Sequence, residues 1–268
     1  MSPLIDPLAL PLGDETTSNG CFETMRAYDG RIFRLEAHLE RLWASANDLG
    51  VRLPTAPRRL GGQLVKALAR SGLKEAVVRI ALIPRRKGAA IPSIVVQPTR
   101  LPSPSAYRKG IRLAIVPTRK FPVGTIDNQA KYSARLASVL AVMEAQLRNA
   151  DEALWMDALG YVTESTASNF GIVREGTIVT PPRWLGLLAG ITRDVLFELA
   201  TGLHLPIREL PLTRHDLYNA QEAFLTSTLK EVLPVTKIDG RRIGSGKPGS
   251  VTRSLHRAFR HLVKRELQ

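Results

Sequence analysis

The chain has one cysteine, Cys21, so no disulfide can form within it. A lone thiol suits a reducing compartment, and the expected location is cytoplasmic. Aromatic residues are scarce, at 6%, and they do not alternate with basic residues, which leaves no base-stacking platform for nucleic acid. No apolar run reaches the roughly 18 residues that a membrane span needs. Met1 to Leu12 is apolar but carries three prolines and lacks a basic start and a small-residue cleavage site, so it does not read as a signal peptide. The five histidines have no metal-ligand spacing and one cysteine cannot complete a zinc site, so no metal is expected. Gly244-Ser245-Gly246-Lys247-Pro248 has the wrong glycine spacing for a phosphate loop, and a proline follows its lysine. Ser168 has no nucleophile-elbow pattern around it.

What is present is a chain of 268 residues with ordinary apolar and charged fractions, 44% and 23%, enough for two modest domains with real cores. The net charge is +14. Such a balance attracts anions, including phosphorylated cofactors and carboxylate substrates.

Gly20 to Tyr28 reads as a strand, Asp29-Gly30 as a turn, and Arg31 to Arg34 as the start of the return strand. Helices are predicted over Glu36 to Leu49 and Leu60 to Ser71, stopped by Gly50 and Gly72. Ala76–Ile83, Ile94–Gln97 and Ile111–Val116 are strand-like. Residues 1–119 thus form a small α+β domain. Residues 120–128, within a stretch carrying two prolines and a glycine, form a linker. Residues 129–268 form a larger domain. It opens with a helix from about Gln129, in which Leu136, Val139, Leu140, Met143 and Leu147 keep the 3.6-residue period. Hairpins turning at Asp157–Gly160 and Glu175-Gly176 follow, then a helix from Thr192 to Ala200. Strands at Ala223–Ser227 and Val235–Ile238 lead to a basic amphipathic helix, Val251 to Leu267, with Leu255, Phe259 and Leu262 inward.

Three features could carry chemistry. A glycine-containing loop, Gly186 to Gly190, leads into a helix start at Ile191-Thr192-Arg193, where free N–H groups and the dipole suit a phosphate; an ordinary helix start gives the same pattern. Lys131 falls in the first turn of the helix expected from Gln129, where the dipole disfavours a cation and suits a Schiff-base lysine; most lysines are simply solvated. Glu164 ends a strand beside small polar residues, where a carboxylate could meet a cationic ring nitrogen or cap a turn. His38 fits a packed or capping role better than a catalytic one.

Taken in order, the fragments resemble the class IV, or fold type IV, pyridoxal-5′-phosphate (PLP) enzymes, which include branched-chain and D-amino-acid aminotransferases and aminodeoxychorismate lyases. The matching pieces begin with Gly20-Cys-Phe-Glu-Thr-Met-Arg26, Asp29-Gly30 and His38-Leu-Glu-Arg41-Leu42. Lys131, Asp151-Glu152-Ala153, Val162-Thr163-Glu164-Ser165 and Ser168-Asn169 come next, then Thr180-Pro181 and Gly190-Ile191-Thr192-Arg193. The last are Glu222-Ala223-Phe224, Thr226-Ser227-Thr228, Glu231 and Ile238-Asp239-Gly240. The resemblance implies two α+β domains, the second a pseudo-barrel, with PLP in the cleft between them, and a homodimer. It implies that Lys131 forms the internal aldimine and shuttles the proton, and that Glu164 pairs with the pyridine nitrogen. It implies that Arg41, the N–H groups of Ile191 and Thr192, and the Thr228 hydroxyl bind the phosphate, and that Leu188 packs on the ring.

The expected reaction is amino-group transfer between an amino acid or amine and a 2-keto acid. The alternative is aminodeoxychorismate lyase, releasing pyruvate and 4-aminobenzoate. Leu136 stands where branched-chain enzymes usually carry tyrosine, and Glu23-Thr24 where they tend to carry Glu-Gly, which leans towards the other branches. Phe22 stands where D-amino-acid enzymes usually have tyrosine, which argues against that branch. Phe22 is a candidate substrate contact and Arg85 a candidate carboxylate clamp, although Arg85-Arg86-Lys87 also fits a solvated charge run; Arg26 is the rival.

Overall fold

The protein is seen in a computed structural model that describes residues 20–122, 129–133 and 136–268. The apolar N-terminal stretch and residues 123–128 of the predicted linker lie outside the described residues. The chain divides into two compact units, and each is described by itself.

The smaller unit takes described residues 20–100, 129–133 and 262–268. Its elements are β1 (Cys21–Tyr28), β2 (Arg31–Ile32), α1 (Leu35–Asp48), α2 (Pro57–Ser71), β3 (Ala76–Ile83) and β4 (Ile91–Pro98). The strands form an antiparallel sheet in the order β2-β1-β3-β4. Asp29 and Gly30 both have positive φ, which is what a two-residue hairpin turn requires. Alternation along β1 points Cys21, Met25 and Ala27 into a core with Leu39, Leu42, Leu60, Leu64, Val78 and Ile80.

The larger unit takes described residues 101–122 and 136–261. It begins with α3 (Pro104–Lys109), β5 (Ile111–Ile115), α4 (Leu136–Leu147), β6 (Glu152–Met156), β7 (Val162–Ser165), β8 (Asn169–Arg174) and β9 (Thr177–Thr180). After these come α5 (Ile191–Gly202), β10 (Ile207–Glu209), α6 (Arg214–Tyr218), β11 (Glu222–Ser227), β12 (Glu231–Ile238), β13 (Arg241–Arg242) and α7 (Ser250–Glu266), whose residues from Leu262 on are counted with the smaller unit. The sheet runs β10-β9-β8-β11-β12-β5-β6-β7, and β7 pairs back onto β8. Six strands therefore close on themselves. Their inward residues, among them Ile111, Leu113, Ile115, Leu154, Phe170, Ile172, Leu225 and Leu233, fill the interior.

The structure departs from the sequence expectations at two places. Ile111–Ile115, predicted with the N-terminal strands, is instead an inner strand of the larger sheet, parallel to both β12 and β6. The helix expected from Gln129 begins at Leu136 among the described residues, and Gln129 to Ser133 are not helical. Its buried face is also not the one its large side chains mark. Leu136, Leu140, Met143 and Leu147 are exposed, while Ser138, Ala141, Val142 and Ala145 are buried. Small residues let α4 approach the sheet closely, and Ala141 and Ala145 pack with Ala114, Val116, Ala153 and Trp155.

Candidate active site

Lys131 belongs to the smaller unit and is held through its backbone. Its N–H donates to Ser45 Oγ on α1 (2.9 Å), and its carbonyl accepts from the Phe22 N–H (3.0 Å). Tyr132 forms a bridge with Cys21, and the Ser133 N–H donates to the Gly20 carbonyl (2.8 Å). Lys131 thus sits on a short non-helical segment beside β1, and the described part of the helix that follows begins at Leu136. Its Nζ lies 4.9 Å from the centre of the Phe22 ring.

Phe22 carries a second cation, Arg79, whose Cζ is 5.3 Å from the same ring centre. Arg79 pairs with Thr24 and Ala81 with Phe22 across β1 and β3, which places Phe22 and Arg79 on one face of the sheet. Burial holds the Arg79 guanidinium below its ordinary pKa, and no carboxylate pairs with it among the described residues. The sequence missed this residue because nothing local distinguishes an arginine inside an apolar strand. Arg85 is exposed in the β3–β4 connection. Arg26 is engaged by Glu75 (3.2 Å) and lies 4.0 Å above the Tyr28 ring.

Arg41 holds Glu23 in two hydrogen bonds, Nε at 2.6 Å and one terminal nitrogen at 2.8 Å. His38 Nδ1 is 2.8 Å from the same carboxylate. Glu23 is fully buried; burial favours its neutral form, but Arg41 and His38 outweigh this and hold its pKa well below the ordinary range. Burial also pushes the His38 pKa down, so the ring is neutral and donates through Nδ1. The fork onto Glu23 fixes the guanidinium of Arg41 in direction.

The larger unit brings Glu164, Leu188, Gly190 and the start of α5 together. Glu164 Oε2 accepts from Asn169 Nδ2 and from the Leu188 N–H, both at 3.1 Å, and Oε1 accepts from Lys120 Nζ at 2.5 Å. Asn169 Nδ2 also donates to the Leu188 carbonyl (2.9 Å). Gly190 leaves no room for a side chain: a Cβ there would lie 1.8 Å from Asn169 Oδ1. It also gives α5 no side-chain cap. Ile191 and Thr192 are buried, and α5 starts without a side-chain cap for its first N–H groups. Register extends the site sideways. Asn169 faces Glu164 on β7 and Thr226 on β11, and Thr228 stands two residues further, half-buried in the β11–β12 turn.

That turn is anchored by a buried cluster that the sequence did not suggest. Lys230 Nζ pairs with Glu152 and donates to Ser168 Oγ (3.0 Å), while Ser165 Oγ donates to Glu152. The cluster joins β6, the β7–β8 hairpin and the β11–β12 turn. Its partners are far apart in sequence, so no local pattern reveals it.

These residues fit a phosphorylated pyridine cofactor. Glu164 is a buried anion held with its orientation fixed, suited to a protonated ring nitrogen, and the uncapped start of α5 supplies N–H donors suited to a phosphate.

Residues 20–238 match the family model for Amino-transferase class IV. The chain belongs to the class IV aminotransferases. It is 33% identical to a branched-chain-amino-acid aminotransferase of Pseudomonas aeruginosa over 258 residues, covering 91% of this chain and 84% of that one. It is 31% identical to a D-alanine aminotransferase of Bacillus licheniformis over 268 residues, covering 92% and 89%. Its fold matches that of a T.th. branched-chain amino acid aminotransferase crystallised with pyridoxamine 5′-phosphate, with a TM-score of 0.88, 31% identity, and 94% and 90% of the two chains covered. This aminotransferase has the fold type IV architecture and takes PLP as its cofactor. The likeness favours amino-group transfer over the lyase alternative. No helix among the described residues is long and apolar enough to cross a membrane.

Proposed function

We propose that the enzyme transfers an amino group between an amino acid and a 2-keto acid, with Lys131 as the residue that holds the cofactor covalently. The observation that carries this reading is the Glu164–Asn169–Leu188 network leading to the uncapped start of α5. When bound, PLP supplies a ring that stabilises negative charge at the substrate α-carbon. Glu164 would keep the ring nitrogen protonated, and Asn169 and Leu188 keep that carboxylate from turning. The N–H groups of Ile191 and Thr192 and the Thr228 hydroxyl would hold the phosphate and Leu188 would pack on the ring, and the family resemblance gives Arg41 a phosphate role as well. Lys131 Nζ would be the base that takes the proton from the substrate α-carbon.

Arg79 is the group we assign to an anionic part of the substrate, in place of Arg85. It is a largely buried cation without a carboxylate partner among the described residues, and it shares the Phe22 ring with Lys131. Phe22 contributes an apolar wall. Both branches of relatives act on amino acids by name, and the substrate screen therefore starts from branched-chain L-amino acids and D-alanine. The enzyme is proposed to be a cytoplasmic homodimer.

The test is a single half-reaction. Adding an amino acid alone to PLP-loaded enzyme should convert the cofactor to its amine form, with the keto acid appearing in equal amount. A 2-keto acid should then restore the starting spectrum. Pyruvate release from aminodeoxychorismate without any cofactor interconversion would favour the lyase instead.

A further inference from the structure

Lys120 is not accounted for by any role above. Its backbone N–H donates to the Met156 carbonyl (3.0 Å), its ammonium lies 4.7 Å from the centre of the Trp155 ring, and its Nζ meets Glu164 Oε1 at 2.5 Å. Both side chains are nearly buried, with 11% and 8% of their surface exposed. Glu164 Oε2 is already committed to Asn169 and Leu188, so Oε1 is the oxygen left for a ring nitrogen. That oxygen is the one Lys120 holds.

We propose that Lys120 is an internal competitor for Glu164: its ammonium neutralises the buried carboxylate before the cofactor arrives and is displaced from Oε1, or made to share it, when the cofactor binds. This rests on the reading of Glu164 as the ring-nitrogen partner. A buried carboxylate without a cation is costly, so the unloaded site needs a stand-in. A flexible lysine can leave where a bidentate arginine would not. The aromatic face of Trp155 gives the displaced ammonium a second place to rest. Lys120 is therefore a positioning residue that sets the balance between a stable empty site and tight cofactor binding.

The experiment compares wild type, Lys120→Met, Lys120→Gln, Glu164→Gln and the double variant Lys120→Met/Glu164→Gln, measuring the melting temperature with and without PLP and the PLP dissociation constant. Lys120→Gln keeps a neutral donor and serves if Lys120→Met does not fold. The expected result is that Lys120→Met melts lower without PLP, shows a larger rise on loading, and binds PLP about tenfold more tightly. In the Glu164→Gln background, removing Lys120 should change none of these. Equal loss of stability with and without PLP and an unchanged dissociation constant would overturn the proposal, since a merely structural lysine behaves that way. If Glu164→Gln itself binds PLP as wild type does, the assignment of Glu164 fails; if it binds weakly while Lys120→Met matches wild type, only the role of Lys120 fails.

Discussion

Asn169 Nδ2 donates to Glu164 Oε2 at 3.1 Å, and the same amide reaches the Leu188 carbonyl at 2.9 Å. One side chain thus ties the strand that presents the carboxylate to the loop that leads into α5. Replacing Asn169 by alanine should leave both acceptors short of a donor in a buried setting, at a cost of about 1–3 kcal/mol. PLP affinity should fall with it, measured by titration of the unloaded protein. Gly190→Ala attacks the same junction from the other side, because its Cβ would meet Asn169 Oδ1 at 1.8 Å, and it should weaken PLP binding as well.

Arg79 should matter to substrate and not to cofactor. Arg79→Ala is expected to raise KM for the amino acid about tenfold to a hundredfold, the weight of one charge-assisted contact, with PLP affinity unchanged. Arg79→Lys should recover only part of the loss, since an ammonium does not reproduce the planar fork. Steady-state kinetics against a single amino acid, with PLP saturating, separates the two effects.

Acid should loosen the smaller unit early. His38 is buried and neutral, with its pKa lowered from 6.5, so below about pH 6.5 the unfolded chain binds a proton that the folded one does not. Stability from this group is complete above pH 6.5 and declines as the pH falls towards the folded value. Glu23, whose pKa is lowered from 4.5, adds a second decline below about pH 4.5. Melting curves taken from about neutral pH down to about pH 4 should show the first decline in wild type and lack it in His38→Gln.

Cys21 should be inert in the folded protein. It is fully buried, and burial, helped by the nearby Glu23 charge, pushes its pKa up to about 11. A thiol reagent at mildly alkaline pH should label it only after denaturant is added; rapid labelling of the native enzyme would contradict the placement of β1.

Much of the fold was legible because its signals are local. The alternation in Cys21–Tyr28 and Ala76–Ile83, the Asp29-Gly30 turn and the glycine after α2 each act over a few residues. The strand that carries Glu164 and the helix start at Gly190-Ile191-Thr192 were legible for the same reason. What stayed hidden depends on partners far along the chain. Lys120 meets Glu164 across 44 residues and Lys230 meets Glu152 across 78, and a single-sequence pattern records neither. The segment around Lys131 reads as helix from its composition, but its backbone is claimed by β1 and α1. The large apolar side chains of α4 kept the helical period, yet its small residues decide which face meets the sheet.

The measurement that goes most directly to the role of Lys131 is reductive trapping. Wild type and Lys131→Ala are incubated with PLP, treated with borohydride, digested and read by mass spectrometry, with visible spectra taken before and after reduction. A cofactor-sized mass addition on the peptide carrying Lys131, with loss of the visible band in wild type and neither change in Lys131→Ala, is the expected result. Trapping on another lysine, or equal trapping in both proteins, would contradict the assignment.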